Sequence, residues 1–213
     1  LVFVYLIGRR LYGESTGLLA AGLGAVTAFL IQQAHFFTVD SLACFLTMSV
    51  AYFSVRASQT GAWADFAAAG LGVGLAAACK VSPATSALLV ALGGVSYVIG
   101  HVPGARGERS AFRIIRYRVW PVLLSLLLAG VLSLVAFRIG QPYAFEGPGF
   151  FGLRPSPEWF GRLSQIRAEQ GGDVDLPSGR QWANRSAIVF PWVNVVVWGM
   201  GLPLGLAAWI GWG

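Results

Sequence analysis

The stretch STGLLAAGLGAVTAFLIQQ (residues 15–33) is followed by HFFTVDSL (residues 35–42) and then by ACFLTMSVAYFSV (residues 43–55). A helix that crosses a bilayer needs about 20 mostly apolar residues, because each residue adds only ~1.5 Å to its length. The first run has that length, and the second nearly reaches it once the residues just before it are added. Residues 15–55 therefore predict two membrane helices, joined by a short polar turn that holds His35 and Asp40.

The composition of the whole chain agrees with a membrane protein. Of 213 residues, 56% are hydrophobic and 11% charged, and the mean hydropathy is +0.66. Soluble domains carry about a quarter charged residues, so little of this surface meets water. We expect an integral, multi-pass membrane protein. The two cysteines, Cys44 and Cys79, lie in apolar segments and form neither a disulfide framework nor a zinc-binding spacing.

Net charge alone could point to nucleic acid, since the chain carries +6. The distribution of the arginines excludes that partner. Five of them crowd one connector between apolar runs, as in a cytoplasmic loop under the positive-inside rule. They are Arg106, Arg109, Arg113, Arg116 and Arg118.

The apolar runs predict an all-α, polytopic transmembrane bundle with about six full helices and one truncated helix. The predicted spans are residues 1–7, 15–33, 39–55, 62–79, 83–100, 119–138 and 190–212. The predicted domains are a helical region (1–138), a long extracytoplasmic loop (139–189) and a final helix (190–213). Because the chain starts inside an apolar run, we expect an internal part of a longer protein.

The arginines also predict an orientation. Placing Arg9, Arg10 and the five-arginine connector inside leaves HFFTVD, Lys80 and the 139–189 loop outside. Within that loop, PEWFGRLSQIRAEQ predicts a short helix beginning at Pro157, with apolar residues on one face.

Small residues recur every fourth position at Gly70, Gly74 and Ala78. This spacing lets two membrane helices approach closely. The alternative is that glycine is simply frequent in membrane helices.

Three side chains near the predicted outer face could carry chemistry. Asp40 either caps the helix that follows it or contributes to a site. Lys80, the only lysine in the chain, either extends to the interface from a helix end or binds an anion such as phosphate. Pro83 would break the helix near Lys80 and leave backbone groups to line a cavity. His35 is either a wetted interfacial side chain or a third member of this group.

The long loop adds a mixture of aromatic, amide and guanidinium groups, which is typical of sugar-binding sites but also of other ordered loops. The candidates there are Gln141, Tyr143, Gln181, Trp182 and Arg185.

Three motifs in order, RRLYGESTGLLAAGLGAV (9–26), QQAHFFTVDSLACFLTMSVAYFSVR (32–56) and GLGVGLAAACKVSPA (70–84), resemble the membrane glycosyltransferases of the GT-C fold. Within that fold, the chain is similar to family 39, the protein O-mannosyltransferase and aminoarabinose-transferase group. QPYAFEGPGFFG (141–152) and QWANR (181–185) resemble the outer loop of a bacterial branch, which implies a bacterial plasma membrane.

The resemblance implies transfer of a sugar from a polyprenyl-phosphate donor to an acceptor on the extracytoplasmic face. The acceptor class stays open between protein, lipid and glycan. The family's catalytic base lies in a first outer loop, which we expect upstream of this chain, so no catalytic residue is assigned here. By position, Asp40 matches an acidic residue of the family that organises the acceptor or a divalent metal. Lys80 matches a lysine that faces the carrier phosphate. His35 also matches a family position, but that position has no assigned role.

Two other functions stay open. A transporter would show repeated halves with paired broken helices, and the sequence has one proline-interrupted site, Lys80–Pro83. A non-catalytic membrane subunit or a glycan ligase is the other alternative.

Overall fold

The computed structural model describes residues 1–36, 38–100, 115–147, 149, 152–171 and 185–211. The α-helices are α1 (Val2–Tyr12), α2 (Glu14–Ala25), α3 (Ala28–His35), α4 (Val39–Thr60), α5 (Trp63–Cys79), α6 (Ala87–Gly100), α7 (Trp120–Gly140), α8 (Pro157–Gly171), α9 (Val189–Val193) and α10 (Leu202–Ile210). Tighter 3₁₀ turns occupy Ser82–Ser86 and Pro142–Ala144, and wider π-helical segments occupy Ile115–Val119 and Asn194–Gly199. The predicted helical membrane fold is confirmed.

Two compact units make up the chain. One comprises Leu1–Val26 and Leu30–Gly140, and the other comprises Thr27–Phe29 and Gln141–Gly213. The second unit includes two short antiparallel strands, β1 (Phe145–Glu146) and β2 (Arg154–Pro155), which the all-α prediction lacks. The predicted division into 1–138, 139–189 and 190–213 stays a prediction.

Three helices of the described chain are long and apolar enough to cross a membrane. They are Val39–Thr60, Ser82–Gly100 and Arg116–Gly140. If each of two bent helix pairs is counted as one span, the number rises to five. Helix α5 is also apolar, but it is shorter, at 17 residues. The sequence predicted six full spans, so fewer helices meet these length and hydropathy criteria than were predicted.

The bent pairs correct two predicted spans. The run at 15–33 is divided between α2 and α3, which meet at 59° around Val26 and Thr27. Both of these β-branched residues are weaker helix formers than their neighbours. The run at 190–212 is also not one helix, because the chain turns by 118° before α10. Gly201 supplies the turn with φ +83°, a conformation that suits glycine.

The first helix is longer than predicted. The sequence assigned residues 1–7 to the end of a span, whereas α1 continues through both arginines to Tyr12. Gly13, with φ +98°, then ends the helix and starts α2. The two helices form a tight hairpin, since a Cβ on Gly8 would lie 2.9 Å from the Gly17 Cα.

Close contact between α5 and α7 confirms the packing role of the small-residue spacing. A Cβ on Gly70 would clash with the backbone of Ala129, and a Cβ on Gly74 would clash with the backbone of Ser133. Further along, a Cβ on Gly140 would lie 2.7 Å from the Cβ of Ala78. These contacts advance in the same direction along both helices, so α5 and α7 run parallel.

The core of the first unit lies where α4, α5, α6 and α7 meet. Its fully buried members are Val50, Ala57, Phe66 and Ala69, and Val73, Val90, Val122 and Ala129 complete the cluster. Phe66 is the largest side chain with no exposure. Burial of a side chain of this size contributes roughly 1.5–3 kcal/mol in water, whereas inside a bilayer the gain comes mainly from close contact between helices.

One carboxylate is nearly buried in this unit. Asp65, in the first turn of α5, is 3% exposed, and its Oδ1 lies 3.0 Å from the Nε of Arg56 on α4. Its Oδ2 accepts a hydrogen bond of 2.9 Å from the Thr60 hydroxyl. The guanidinium of Arg56 also lies over the Tyr52 and Phe53 rings, at 5.7 and 5.8 Å from their centroids. These contacts hold the end of α4 against the start of α5.

Replacing Asp65 with alanine is expected to lower the free energy of unfolding by ~1–3 kcal/mol, the usual cost of leaving a buried partner unsatisfied. The change leaves the Thr60 hydroxyl and the Arg56 guanidinium without their shared acceptor. Denaturant unfolding in detergent measures it. The matched control is Glu169→Ala, which removes a partly exposed carboxylate on α8 that accepts a hydrogen bond from the Gln165 side chain. Equal stability of both variants would contradict the role given to Asp65.

Candidate functional site

A hydrogen-bonded corner between α3 and α4 sets the position of Asp40. The Thr38 hydroxyl donates to the Gln33 side-chain oxygen at 2.8 Å, and the Ser41 hydroxyl donates to the Gln33 carbonyl at 3.1 Å. The Ser41 N–H donates to the Thr38 carbonyl at 3.2 Å. Together these bonds hold the start of α4 against the end of α3.

Asp40 is not the N-cap of α4. That position belongs to Thr38, and Asp40 lies inside the first turn. A negative side chain there interacts favourably with the helix dipole. Its carboxylate bonds the Lys80 ammonium rather than the α4 backbone, so the capping alternative is wrong.

Lys80 is the residue at which α5 stops. It has an extended backbone, and its N–H donates to the Ala76 carbonyl at 3.0 Å. Two residues later a 3₁₀ turn begins, with Pro83 in its first turn. Pro83 has no N–H to donate to the carbonyl four residues earlier, that of Cys79, and its ring would clash with that carbonyl in a continuous helix, so α5 ends at Cys79. The predicted helix break beside Lys80 is confirmed.

Asp40 and Lys80 form an ion pair. The Lys80 ammonium donates to Asp40 Oδ1 at 2.7 Å, and the two side chains are 49% and 48% exposed. The pair joins the start of α4 to the end of α5. Both groups retain about half of their surface, so the pair can meet a further charged or polar group. The structure thus brings together two of the residues selected from the sequence, whose roles in binding stay predictions.

His35 stays apart from this pair. Its Nδ1 lies 3.3 Å from the Ile31 carbonyl one turn earlier in α3, and its side chain is exposed. Within the described residues, no hydrogen bond or ion pair connects it to Asp40 or Lys80. His35 therefore closes the last turn of α3, and a binding role for it stays a prediction.

The loop candidates belong to the second unit. Gln141 accepts a hydrogen bond on its carbonyl from the Ala144 N–H at 3.2 Å, and Tyr143 is 83% exposed. The guanidinium of Arg185 lies 5.1 Å from the centroid of the Phe190 ring. Gln181 and Trp182 lie outside the described residues.

The predicted loop helix is present as α8 (Pro157–Gly171), one residue longer than PEWFGRLSQIRAEQ. Ser156 begins it, because its hydroxyl accepts the Trp159 N–H at 3.4 Å and donates to the Glu146 carboxylate at 3.1 Å.

A metal on Asp40 does not fit the groups around it. The carboxylate is neutralised by an ammonium at 2.7 Å, and a divalent cation would have to displace that charge. Hard cations take several oxygen ligands. In the ranges that the structure describes, no three His, Cys, Asp or Glu side chains come together. The metal assignment therefore stays a prediction.

Sequence reasoning missed one cation. Arg138 lies in the last turn of α7, and its Nε is buried. The adjacent Gly140 approaches Ala78, two residues before Lys80. Arg138 is therefore at the same end of the first unit as the ion pair. The sequence feature that could have indicated Arg138 is a single basic residue at the end of a long apolar run.

This architecture defines an integral, multi-pass membrane protein. Residues 1–106 match the model of the dolichyl-phosphate-mannose-protein mannosyltransferase family. The match includes His35, Asp40 and Lys80 and stops before the loop candidates. It supports the GT-C family and indicates membrane glycosyltransferase activity. No curated protein and no solved structure matches the chain.

Proposed function

We propose that the chain is part of a family 39 membrane glycosyltransferase. It transfers a sugar from a polyprenyl-phosphate donor to an acceptor on the extracytoplasmic face. The Asp40–Lys80 pair lies at the donor phosphate. The single observation that carries this proposal is an exposed lysine, the only one in the chain, held by a carboxylate inside the matched segment.

Lys80 has the chemistry that a departing phosphate needs. It follows the end of α5 with an extended backbone, and about half of its side chain is exposed. An ammonium binds phosphate as a point charge with three donors. One donor is taken by Asp40, which leaves two for phosphate oxygens.

Asp40 acts as a positioning residue for Lys80. An unrestrained lysine loses roughly 1.5–2 kcal/mol of side-chain entropy when it is immobilised. The hydrogen bond to Asp40 fixes the ammonium before substrate arrives, so less of that entropy is lost on binding. The corner of Gln33, Thr38 and Ser41 in turn holds Asp40 in place.

The reaction exchanges one bond at the sugar for another. The acceptor hydroxyl oxygen bonds to the anomeric carbon, while the bond from that carbon to the phosphate oxygen breaks. The electron pair leaves with the phosphate, which gains one negative charge, and the hydroxyl proton passes to a general base. Lys80 stabilises the charge that develops on the phosphate, and fixed cations at such positions are a large catalytic contribution. We assign no base among the described residues.

Replacing Asp40 with asparagine tests this function. Asparagine keeps the size of the side chain but loses the charge that fixes Lys80, so we expect kcat/KM to fall roughly tenfold, the equivalent of one hydrogen bond to a charged group. The assay follows transfer from a synthetic polyprenyl-phosphate mannose by the full-length protein in vesicles.

The control for this assay is Glu169→Gln, which removes a partly exposed carboxylate on α8. Asp40→Glu should recover part of the rate. Unchanged transfer by Asp40→Asn at normal expression would exclude the positioning role, and the absence of any transfer by the unaltered protein would argue against the proposed donor.

A transporter remains the second candidate because of the bent helices. The described chain contains two pairs broken at 59° and 118°, and broken helices line substrate sites in many transporters. Uptake of a labelled sugar phosphate into vesicles, with no transfer of label to an acceptor, would favour that function.

A further inference from the structure

One end of the first unit collects the arginines of α1, of α4 and of the π-helical segment that precedes α7. The Nε of Arg10, in the last turn of α1, donates to the side-chain oxygen of Gln59 at the end of α4. Gly61 then turns the chain into α5, and the Tyr97 ring near the end of α6 packs directly on this glycine. Because α7 runs parallel to α5, its start at Trp120 lies at this end as well.

We name this region the arginine end and define it by its described charged and aromatic residues. They are Arg9, Arg10, Tyr12, Glu14, Arg56, Trp63, Asp65, Arg116, Tyr117, Arg118 and Trp120.

Four aromatic side chains at the arginine end are exposed to an unusual degree. Tyr12, Trp63, Tyr117 and Trp120 are 75%, 65%, 69% and 59% exposed. Large aromatic rings seldom remain so open in a protein that meets only water. Tyrosine and tryptophan with this exposure are typical of the membrane–water interface, where the ring lies among lipid headgroups. The arginine end is therefore at headgroup depth.

The charges there do not balance. In the described part of the arginine end, five arginines face two carboxylates, Glu14 and Asp65. Asp65 is buried against Arg56, so it neutralises none of the others. Arg9, Arg10 and Arg116 are exposed, and Arg118 is partly exposed. Several guanidinium groups thus lie beside interfacial aromatics with too few acidic partners among the described residues.

We propose that the arginine end binds the headgroups of anionic phospholipids. A phosphodiester between aromatic rings supplies the missing negative charge, and the planar guanidinium can form two parallel hydrogen bonds to its oxygens. A zwitterionic headgroup adds a cation that the surplus of arginine repels. The preference for anionic over zwitterionic lipid is about fivefold per arginine, the equivalent of about 1 kcal/mol for each basic residue near the surface.

The test measures which lipid the full-length protein retains. The purified protein is mixed in detergent with equal amounts of phosphatidylglycerol and phosphatidylcholine, and native mass spectrometry counts the bound molecules. We expect phosphatidylglycerol to exceed phosphatidylcholine at least fivefold. The double variant Arg9→Gln/Arg116→Gln should lose most of this preference. The conservative pair Arg9→Lys/Arg116→Lys should keep most of it, because the charge remains.

The matched control is Arg162→Gln/Arg167→Gln, which removes two exposed arginines from α8 and should leave the preference unchanged. Circular dichroism verifies that all variants keep their helical content. Equal retention of the two lipids by the unaltered protein would overturn the proposal, as would equal loss in the α8 variant. Complete displacement of phosphatidylglycerol by the same concentration of inorganic phosphate would also overturn it, because it would reveal a simple anion site.

Discussion

Replacing Lys80 with alanine is expected to lower kcat for sugar transfer by about 100- to 1,000-fold, the loss that follows removal of one preorganised donor from a developing oxyanion. The variant loses the ammonium that neutralises the departing phosphate, and no other lysine exists in the chain to replace it. The loss should be larger than that for Asp40→Asn, because Asp40 acts only through Lys80.

Unfolding cannot account for such a loss. The Asp40–Lys80 pair is about half exposed, and exposed ion pairs contribute only ~0–1 kcal/mol to stability. Lys80→Ala should therefore unfold at nearly the same denaturant concentration as the unaltered protein. A large drop in stability would show instead that the pair is structural.

The matched variant is Lys80→Arg, which keeps a cation at the end of α5 and should retain part of the rate. Single-turnover transfer separates the chemical step from donor binding. A rise in KM with unchanged kcat would limit Lys80 to binding the carrier phosphate in the ground state. Normal rates in both variants would remove Lys80 from the site.

The second large effect is expected from Gly74→Ala. The added methyl group would overlap the Ser133 carbonyl oxygen on α7, and Ser133 belongs to helix backbone that cannot move by itself. The helices must separate, and overpacking of this kind costs about 1–3 kcal/mol. Separation of α5 and α7 would also loosen the end of α5 that carries Lys80, so transfer should fall together with stability.

Gly130→Ala provides a control with the opposite sign. Gly130 is on α7, one residue beyond Ala129, and a Cβ there meets no atom within 4 Å. In helix interiors alanine is more favourable than glycine by roughly 0.5–1 kcal/mol, so this variant should be slightly more stable. Unfolding in detergent compares the two. Similar changes in both variants would show that the close contact of α5 and α7 does not govern stability.

The sequence predicted the features that depend on apolar length and residue size. The runs that became α4, α5, α6 and α7 were recognised because lipid requires long uninterrupted helices. Gly70 and Gly74 were recognised because close helix contact in lipid requires small residues. Alternation of the helices placed Asp40 and Lys80 at one end, and the structure brings them within 2.7 Å.

Other features depend on tertiary contacts or on single dihedral angles and could not be predicted in the same way. In STGLLAAGLGAVTAFLIQQ the pair Val26 and Thr27 lowers helix propensity only slightly, and propensity alone is too weak to predict a bend of 59°. Gly201 reads as one small residue among many apolar ones until its φ of +83° is known. Arg138 was not predicted, because it shares one end of the first unit with Lys80 only through the packing of Gly140 against Ala78, which is a tertiary contact.

The α4–α5 hairpin has an ion pair at both of its ends, Asp40 with Lys80 and Asp65 with Arg56. An isolated charged residue at the bilayer centre costs about 2.5–3.5 kcal/mol during insertion. Whichever end of the hairpin is translocated, one carboxylate and one cation cross together, with no net charge to move against the membrane potential. During biogenesis, α4 and α5 can therefore enter the lipid as a single unit, and reversing one charge of a pair would delay that entry before it affected the finished protein.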